Sequence, residues 1–455
     1  MGDALLNLTR QLCEFICALS PEQLGEANRT DLRYKTLDWL GCVIAAQNGD
    51  VAKRIKGYTL ACGGRAQATA FGLPEKTSVG AAAFCNGILS HALEYDDTNK
   101  IAITHPGAPV VSAAWAEAEA LDVSFGRYAL GVAAGYEAMI RMGGAVNPDH
   151  YVYWHTTGTC GTFAAAAACA KIMNLPPEQT ETAMGIAATT ASGLVCVFGT
   201  EAKLVTVGNA ARNGAAAAEL AGNWHFTAPE DAFAAERGFA HAARSKDDLS
   251  FMVPKAGDPL MMEDAYYKIH ASCGHTHCAL DALEQLMREN DFRAEDVEHI
   301  DAEVYKTAWE LCSAYNVSTN LKAKFSLPYC IAVMLLHGRV TLSEFTEECL
   351  NSSEAAELAK RITVREEPAF TAVYPANRPE KVTVTLRDGR RLEKTVNLPE
   401  GRPPHSVIEN KFMSLAEMTL SANQAAAVME NVLGAKDETR IRDLTDPIRT
   451  MLGRL

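Results

Sequence analysis

Apolar positions recur at helical spacing through most of the first 265 residues. Leu5, Leu8, Leu12, Phe15 and Ile16 fall on one face of an amphipathic helix. Ser20-Pro21-Glu22-Gln23 reads as a capping box with proline at the first helical position, so a second helix is expected there. Thr30-Asp31 predicts the start of a third, with Leu32, Leu37, Leu40, Val43 and Ile44 on its apolar face. Alanine-rich runs then follow at 113–120, 164–170, 183–191 and 210–221. Alanine has the highest helix propensity, and its small side chain lets helix axes approach closely. Runs this poor in polar residues predict helices buried on most sides, and therefore a layered helical bundle. No fixed period of the solenoid kind is present.

The period changes near residue 290. His299 to Tyr305 alternates polar and apolar, as a half-buried strand does, and Lys381 to Leu386 does the same through Val382, Val384 and Leu386. Asp388-Gly389 predicts a hairpin turn, with a return strand through Leu392 to Val396. Helical segments are expected between these strands at about 321–337 and 342–361. A Pro-rich stretch from Pro399 to Pro404 closes this region. Helical patterning resumes in Ser406 to Leu455, through Phe412, Leu415, Met418 and Leu420. The expected class is mainly α: a large all-helical domain made of 1–265 and 406–455, plus a smaller α+β domain at 266–405.

Composition narrows the partners. A net charge of −14 argues against a nucleic-acid groove or an anionic membrane surface, but not against an anionic substrate, because a pocket's field is set locally. Thirteen cysteines, an odd number without fixed spacing, point to a reduced, cytoplasmic protein rather than a disulfide framework. Met1-Gly2-Asp3 lacks the basic segment of a signal peptide, and no run approaches the ~18 apolar residues of a membrane span. A soluble protein is expected.

Four stretches concentrate polar chemistry. Glu94, Asp96, Asp97, Thr98 and His105 crowd a break between two apolar helices, where carboxylates beside a core need partners. They supply acid/base groups, or else helix caps. His155-Thr156-Thr157-Gly158 opens an alanine-rich helix whose N–H groups suit an anionic oxygen. Lys203 and Arg212 flank a nearly uncharged helix, either covering apolar surface or holding a carboxylate. His270, Cys273, His275, His277 and Cys278 invite a zinc reading, but their spacing matches no finger or ribbon and no metal is expected; Lys268 with His275 or His277 reads instead as a cationic lip. No dinucleotide fingerprint, phosphate-binding loop or nucleophile elbow is present.

In order, Asp96-Asp97-Thr98, His105-Pro106-Gly107, His155-Thr156, Lys203, Asn209 to Gly214, Lys268 to His277, Ala323 to Tyr329 and Asp388-Gly389 resemble the MmgE/PrpD family, over nearly the whole chain. That family includes 2-methylcitrate dehydratases, cis-aconitate decarboxylases and iminodisuccinate epimerases. The resemblance implies an all-helical domain with an α+β lid, an active site between them, and a homodimer without metal or organic cofactor. It implies a catalytic set of His105, Asp96, Lys203, Lys268, His155 and His277. Glu94, Thr98, Arg212, Cys273, His275 and Lys324 are the expected substrate-binding residues. The expected activity is that of a hydro-lyase on a small polycarboxylate, with proton abstraction next to a carboxylate and loss of a β-substituent. Epimerisation of an amino- or imino-dicarboxylate and cis-aconitate-type decarboxylation are the alternatives within the family, and a non-catalytic helical binding protein is the alternative outside it. Glu94, and Asn99 to Thr104, depart from the pattern of the 2-methylcitrate dehydratases.

Overall fold

Local capping explains where many helices begin. In the computed structural model, which describes residues 7–243, 248–255, 257–398 and 403–453, Asn7 accepts the Arg10 N–H at the start of α1 (Leu8–Ala18). Gln23 accepts the Ser20 N–H at 2.9 Å in the capping box of α2 (Pro21–Ala45). No new helix starts at Thr30-Asp31. The break in α2 lies instead at Gly25, whose φ of 63° and ψ of 168° suit a residue without Cβ. The following helices are α3 (Asp50–Cys62), α4 (Val79–His91), α5 (Gly107–Ala120), α6 (Phe125–Val146), α7 (Thr156–Met173), α8 (Pro177–Ala188) and α9 (Ala202–Gly222). The alanine run predicted to 191 therefore ends its helix at Ala188.

These helices belong to the first of two units, which comprises Met1–Ala92, Asp96–Tyr267 and Gly401–Leu455. Its centre is α7, with Ala164 to Ala168 fully buried and α5, α6, α8 and α9 packed around it. Gly214 shows how close the axes come: a Cβ there would meet Ala165 Cβ at 2.4 Å and Thr162 O at 2.6 Å. Helices His405–Ala416, Ala422–Leu433 and Ile441–Leu452 complete the unit, and Phe412 and Leu415 press on Gly41 of α2. Met418 is half exposed, beyond the end of the first of these helices. Among the described residues no helix is long and apolar enough to cross a membrane.

Glu117 on α5 is buried, and burial together with Glu219 pushes its carboxyl up to about 7. A raised carboxyl pKa penalises the folded state once the group ionises: the penalty is absent below about 4.5 and complete above about 7. Glu117→Gln is therefore expected to stabilise the protein at pH 8 by about 1–3 kcal/mol and to change little at pH 4.5, as read from denaturant midpoints. Equal effects at both pH values would refute this.

The second unit comprises Leu93–Tyr95 and Lys268–Glu400. Its sheet has the order β4-β3-β5-β6, formed by β3 (Val297–Val304), β4 (Ile362–Glu366), β5 (Glu380–Leu386) and β6 (Arg391–Val396). A two-residue β1 (Thr98–Asn99) pairs with β2 (Ala265–Tyr266) in the first unit. β3 runs parallel to β4 and antiparallel to β5, and β5 and β6 form the predicted hairpin around Gly389. Ile300, Ala302 and Val304 of β3 face inward with Val382, Val384 and Leu386 of β5. Helix His277–Glu289 packs on β5 and β6, and Leu327–His337 packs on it in turn. The predicted segments at 321–337 and 342–361 break into shorter helices: Asn320–Ala323 and Leu327–His337, then Glu347–Leu350 and Ser353–Ala359. Of the Pro-rich stretch, 399–402 lies outside the described residues, as does Met1-Gly2-Asp3.

Candidate active site

The break between α4 and α5 is folded tightly on itself. Thr98 Oγ1 donates to Thr104 O at 2.9 Å, Asn99 and Thr104 exchange backbone hydrogen bonds, and Ile103 takes a φ of 51°. A β-branched residue in the left-handed region is rare and needs surroundings that hold it there. Beneath the loop, Asp97 accepts from Gly107 N at 2.8 Å and from Tyr136 Oη at 2.6 Å. Burial raises the Asp97 carboxyl to about 6, opposed by Lys35 and by these hydrogen bonds. Lys35 is itself paired with Asp31 at 3.0 Å and lies 5.0 and 5.2 Å from the Tyr136 and Tyr267 rings. This buried polar support locks Gly107, where an added Cβ would sit 2.6 Å from Asp97 Oδ1 and 3.0 Å from Tyr136 Oη. Gly107→Ala is expected to destabilise the fold by about 1–3 kcal/mol, read as a lower denaturant midpoint. An unchanged midpoint would contradict the support assigned to Asp97.

On this support stands a group of imidazoles. Asp96 Oδ2 lies 2.8 Å from His91 Nδ1 and 3.6 Å from His105 Nδ1. The His91 ring centroid is 4.9 Å from that of His105 and 6.0 Å from that of His155. Phe198 sits edge-on to His155 at 5.0 Å, and Lys203 Nζ lies 5.2 Å over the same phenyl ring. Asp96, His105, His155 and Lys203, all sequence candidates, thus meet in the first unit.

Hydrogen-bond partners assign the tautomers. His105 Nδ1 is 3.0 Å from the Asp97 carbonyl, which only accepts, so Nδ1 carries the hydrogen. Thr206 Oγ1 donates to Lys203 O at 2.7 Å, so at 2.9 Å it accepts from His155 Nδ1. When either ring is neutral, Nε2 is then the basic nitrogen. His91, Asp96 and His105 also offer ligand atoms within 4.8 Å of one another, as do His270, Asp281 and Glu284. The 2.8 Å His91–Asp96 contact is a direct hydrogen bond, shorter than the ~3.3 Å between two ligands of one tetrahedral zinc ion.

The second unit gathers another set. Lys268 is fully buried, donates to Glu94 O at 2.9 Å and lies 3.7 Å from Glu94 Oε2. Glu94 takes a φ of 53°. Lys324 Nζ donates to Leu93 O, and its own carbonyl accepts the Cys273 N–H at 2.9 Å. Glu94, Lys268, Cys273 and Lys324 therefore meet there.

Other candidates are engaged elsewhere. His275 Nδ1 is hydrogen-bonded to Tyr305 Oη at 2.5 Å, and Tyr305 stacks on Tyr374. The His277 ring lies 5.2 Å from that of His270, whose Nε2 bonds Asp281 at 2.9 Å. Arg212 follows Lys203 by nine residues on α9, a rotation of about 180°. It stacks on Phe84, bonds Asn209 at 2.7 Å and lines a cavity of about 410 Å³ with Arg54, Tyr58 and Val205. His91, Phe198 and Thr206 were not singled out from the sequence. His91 ends α4, and its place five residues before Asp96 was the one available sign.

Residues 10–252 match the MmgE/PrpD N-terminal domain and residues 270–435 the MmgE/PrpD C-terminal domain. The chain is 24% identical to a cis-aconitate decarboxylase-like protein of Aspergillus oryzae over 96% of both chains. It is 26% identical to a cis-aconitate decarboxylase of Homo sapiens over 88% of this chain and 86% of that one. A 2-methylcitrate dehydratase of Salmonella typhi is 27% identical over 36% of this chain and 37% of its own. With both domain matches in chain order and together spanning most of its length, this chain belongs to the MmgE/PrpD family.

Proposed function

We propose that this protein is a lyase acting on a small polycarboxylate, with the imidazole group of the first unit as its proton-transfer machinery. The enzyme class rests on relatives that are named decarboxylases and dehydratases. The observation that carries the site is the shared tautomer of His105 and His155, each held through Nδ1, so that in the neutral ring Nε2 is the nitrogen that takes up a proton. Two imidazoles with fixed tautomers suit a reaction that forms and quenches a carbanion beside a carboxylate. Lys203 is a cation that can hold a substrate carboxylate and stabilise enolate charge as it develops. Lys268 and Lys324 are further cations of the same kind in the second unit.

Two reactions fit this machinery. In decarboxylation the C–CO₂ bond breaks, its electron pair passes to the adjoining unsaturated acid, and an imidazolium returns a proton to carbon. In dehydration one imidazole takes the C–H proton, the freed electron pair forms the C=C bond as the β C–O bond breaks, and the other ring, as imidazolium, gives the departing hydroxyl the proton that makes it water. Decarboxylation has more support, because the decarboxylase relatives align over 86% or more of their own length and the dehydratases over 40% or less. The homodimer implied by the family resemblance is part of the same proposal. The test is a thermal-shift panel of cis-aconitate, citrate, 2-methylcitrate and tartrate, followed by proton NMR of each stabilising compound. A melting-temperature rise with one of them, followed by its conversion, is expected. No shift with any polycarboxylate would refute the reading, and elimination of water without release of CO₂ would replace decarboxylation with dehydration.

A further inference from the structure

The cavity of about 410 Å³ beside Arg212 lies within the first unit, between α3, α4 and α9. Val205, Asn209 and Arg212 recur at helical spacing, so they share a face of α9 that points away from Lys203. Ile55 of α3, Phe84 and Ile88 of α4 and Leu204 of α9 line the cavity and are buried. Tyr58 and Val205 also line it, yet they are 52% and 41% exposed. Apolar surface therefore stands open to water here, where a hydrocarbon group gains by covering it. The charges lining the cavity are Arg54, Glu201 and Arg212. Arg54 pairs with Glu201. Arg212 donates to Asn209 Oδ1 at 2.7 Å and lies 4.7 Å over the Phe84 ring, and among the described residues it makes no ion pair. A Cβ on Gly80 would come 3.4 Å from Arg212 Cγ, so the arginine stem is also packed along α4. The guanidinium is thus held in place with donors to spare beyond the one given to Asn209. Two guanidiniums against one carboxylate leave the cavity one positive charge, in a chain whose net charge is −14.

We propose that this cavity binds a small monocarboxylate with an apolar body, its carboxylate on Arg212 and its hydrocarbon against Ile55, Phe84, Ile88 and Leu204. The volume lies in the range of roughly 300–1,000 Å³ that small-molecule sites occupy. One anchored guanidinium matches one carboxylate, which its planar fork can meet with two parallel hydrogen bonds. A polycarboxylate fits the cavity poorly. Apolar walls would strip water from its remaining anionic groups, with only Arg54, already paired with Glu201, to meet them. The ligand class is therefore different from that of the proposed lyase substrate. Arg212, expected from the sequence to bind that substrate, serves this second ligand instead.

The experiment titrates octanoate, octanamide and citrate into the full-length protein by isothermal titration calorimetry. Octanoate is expected to bind. Octanamide, with the same chain but no charge, is expected to bind about 10–100-fold more weakly, the span of a hydrogen bond to a charged group. Arg212→Met should cost octanoate a similar factor, and Arg212→Lys less, because the ammonium keeps the charge but not the fork. A diazirine-bearing octanoate should label peptides within 51–58 and 204–212. The proposal is overturned by absence of octanoate binding at millimolar concentration, by equal binding of octanoate and octanamide, or by label confined to other peptides. Competitive displacement of octanoate by citrate at matching concentration would also overturn it, by making the cavity part of a polycarboxylate site. So would hydrogen exchange in which 51–58 and 204–212 become protected on self-association alone, since a second copy of the chain would then fill the cavity. The wild-type titrations decide the question even where a variant does not fold. None of these readouts involves turnover, so they stand or fall apart from the proposed lyase activity.

Discussion

His105→Ala is expected to lower turnover by about 10²–10⁴-fold, the usual span for a removed acid/base group. The His105 ring bonds the Asp97 carbonyl, lies 3.6 Å from Asp96 Oδ2 and meets His91 edge-on, whereas the loop's own backbone is held by Thr98, Asn99 and the Asp97 carboxylate. Its melting temperature should stay within a few degrees of the wild type. His105→Asn separates position from chemistry, because the amide N–H can still donate to a carbonyl while carrying no basic nitrogen. The same loss is expected in that variant. Single-turnover kinetics with the substrate found by the ligand panel would measure both, and turnover within tenfold of wild type in either would remove His105 from the proposed machinery.

Lys268→Met is expected to cost about 3–5 kcal/mol, the range seen when one member of a buried ion pair is removed. Lys268 is fully buried, its ammonium bridges the carbonyl and carboxylate of Glu94, and methionine fills similar volume without a donor. The loss should appear in the second unit, as faster amide exchange in Lys268–Thr276 and Asn320–Leu327. Adding Glu94→Gln removes the stranded charge and should recover most of the stability. If the single substitution costs less than about 1 kcal/mol, the pair is not the anchor that its burial indicates. Polycarboxylate binding measured on the stable double variant then reports the cation's contribution to the substrate separately from its contribution to folding.

The helical bundle was legible because its signals are local. Alanine runs, the Ser20 to Gln23 capping box and the Asp388-Gly389 turn each act within a few residues, and all appear in the structure. The misplaced start at Thr30 has an equally local cause: a possible cap lost to continued helical packing, while Gly25 took the break. The segment 342–361 was harder, because its short helices depend on separate caps at Thr346 and Ser352 rather than on one apolar stripe.

The candidate site divides along the same line. The acidic and histidine-rich residues at 94–105 stand out in sequence because charge beside apolar helices needs a reason. Which of them meet does not follow from their order. Asp96 and Asp97 are neighbours, yet one faces His91 and His105 while the other is spent on Gly107 and Tyr136. Glu94, two residues before Asp96, belongs to a different unit and pairs with Lys268. Lys203 and Arg212 look equivalent along the chain, but nine residues of helix put them on opposite faces.

By itself, then, the sequence determined a mainly helical protein with a smaller α+β part, because helix period, strand alternation and turn chemistry are written in residues close together in the chain. Only the tertiary structure decided the contacts that give the site its chemistry. The Asp97 carbonyl, Thr206, Lys203 and Phe198 act on His105 and His155 across up to tens of residues of sequence. A histidine's tautomer is set by whichever acceptor its Nδ1 meets: for His155 that acceptor is chosen by the packing of α7 and α9, and for His105 by the way the loop from Asp97 to His105 folds back on itself.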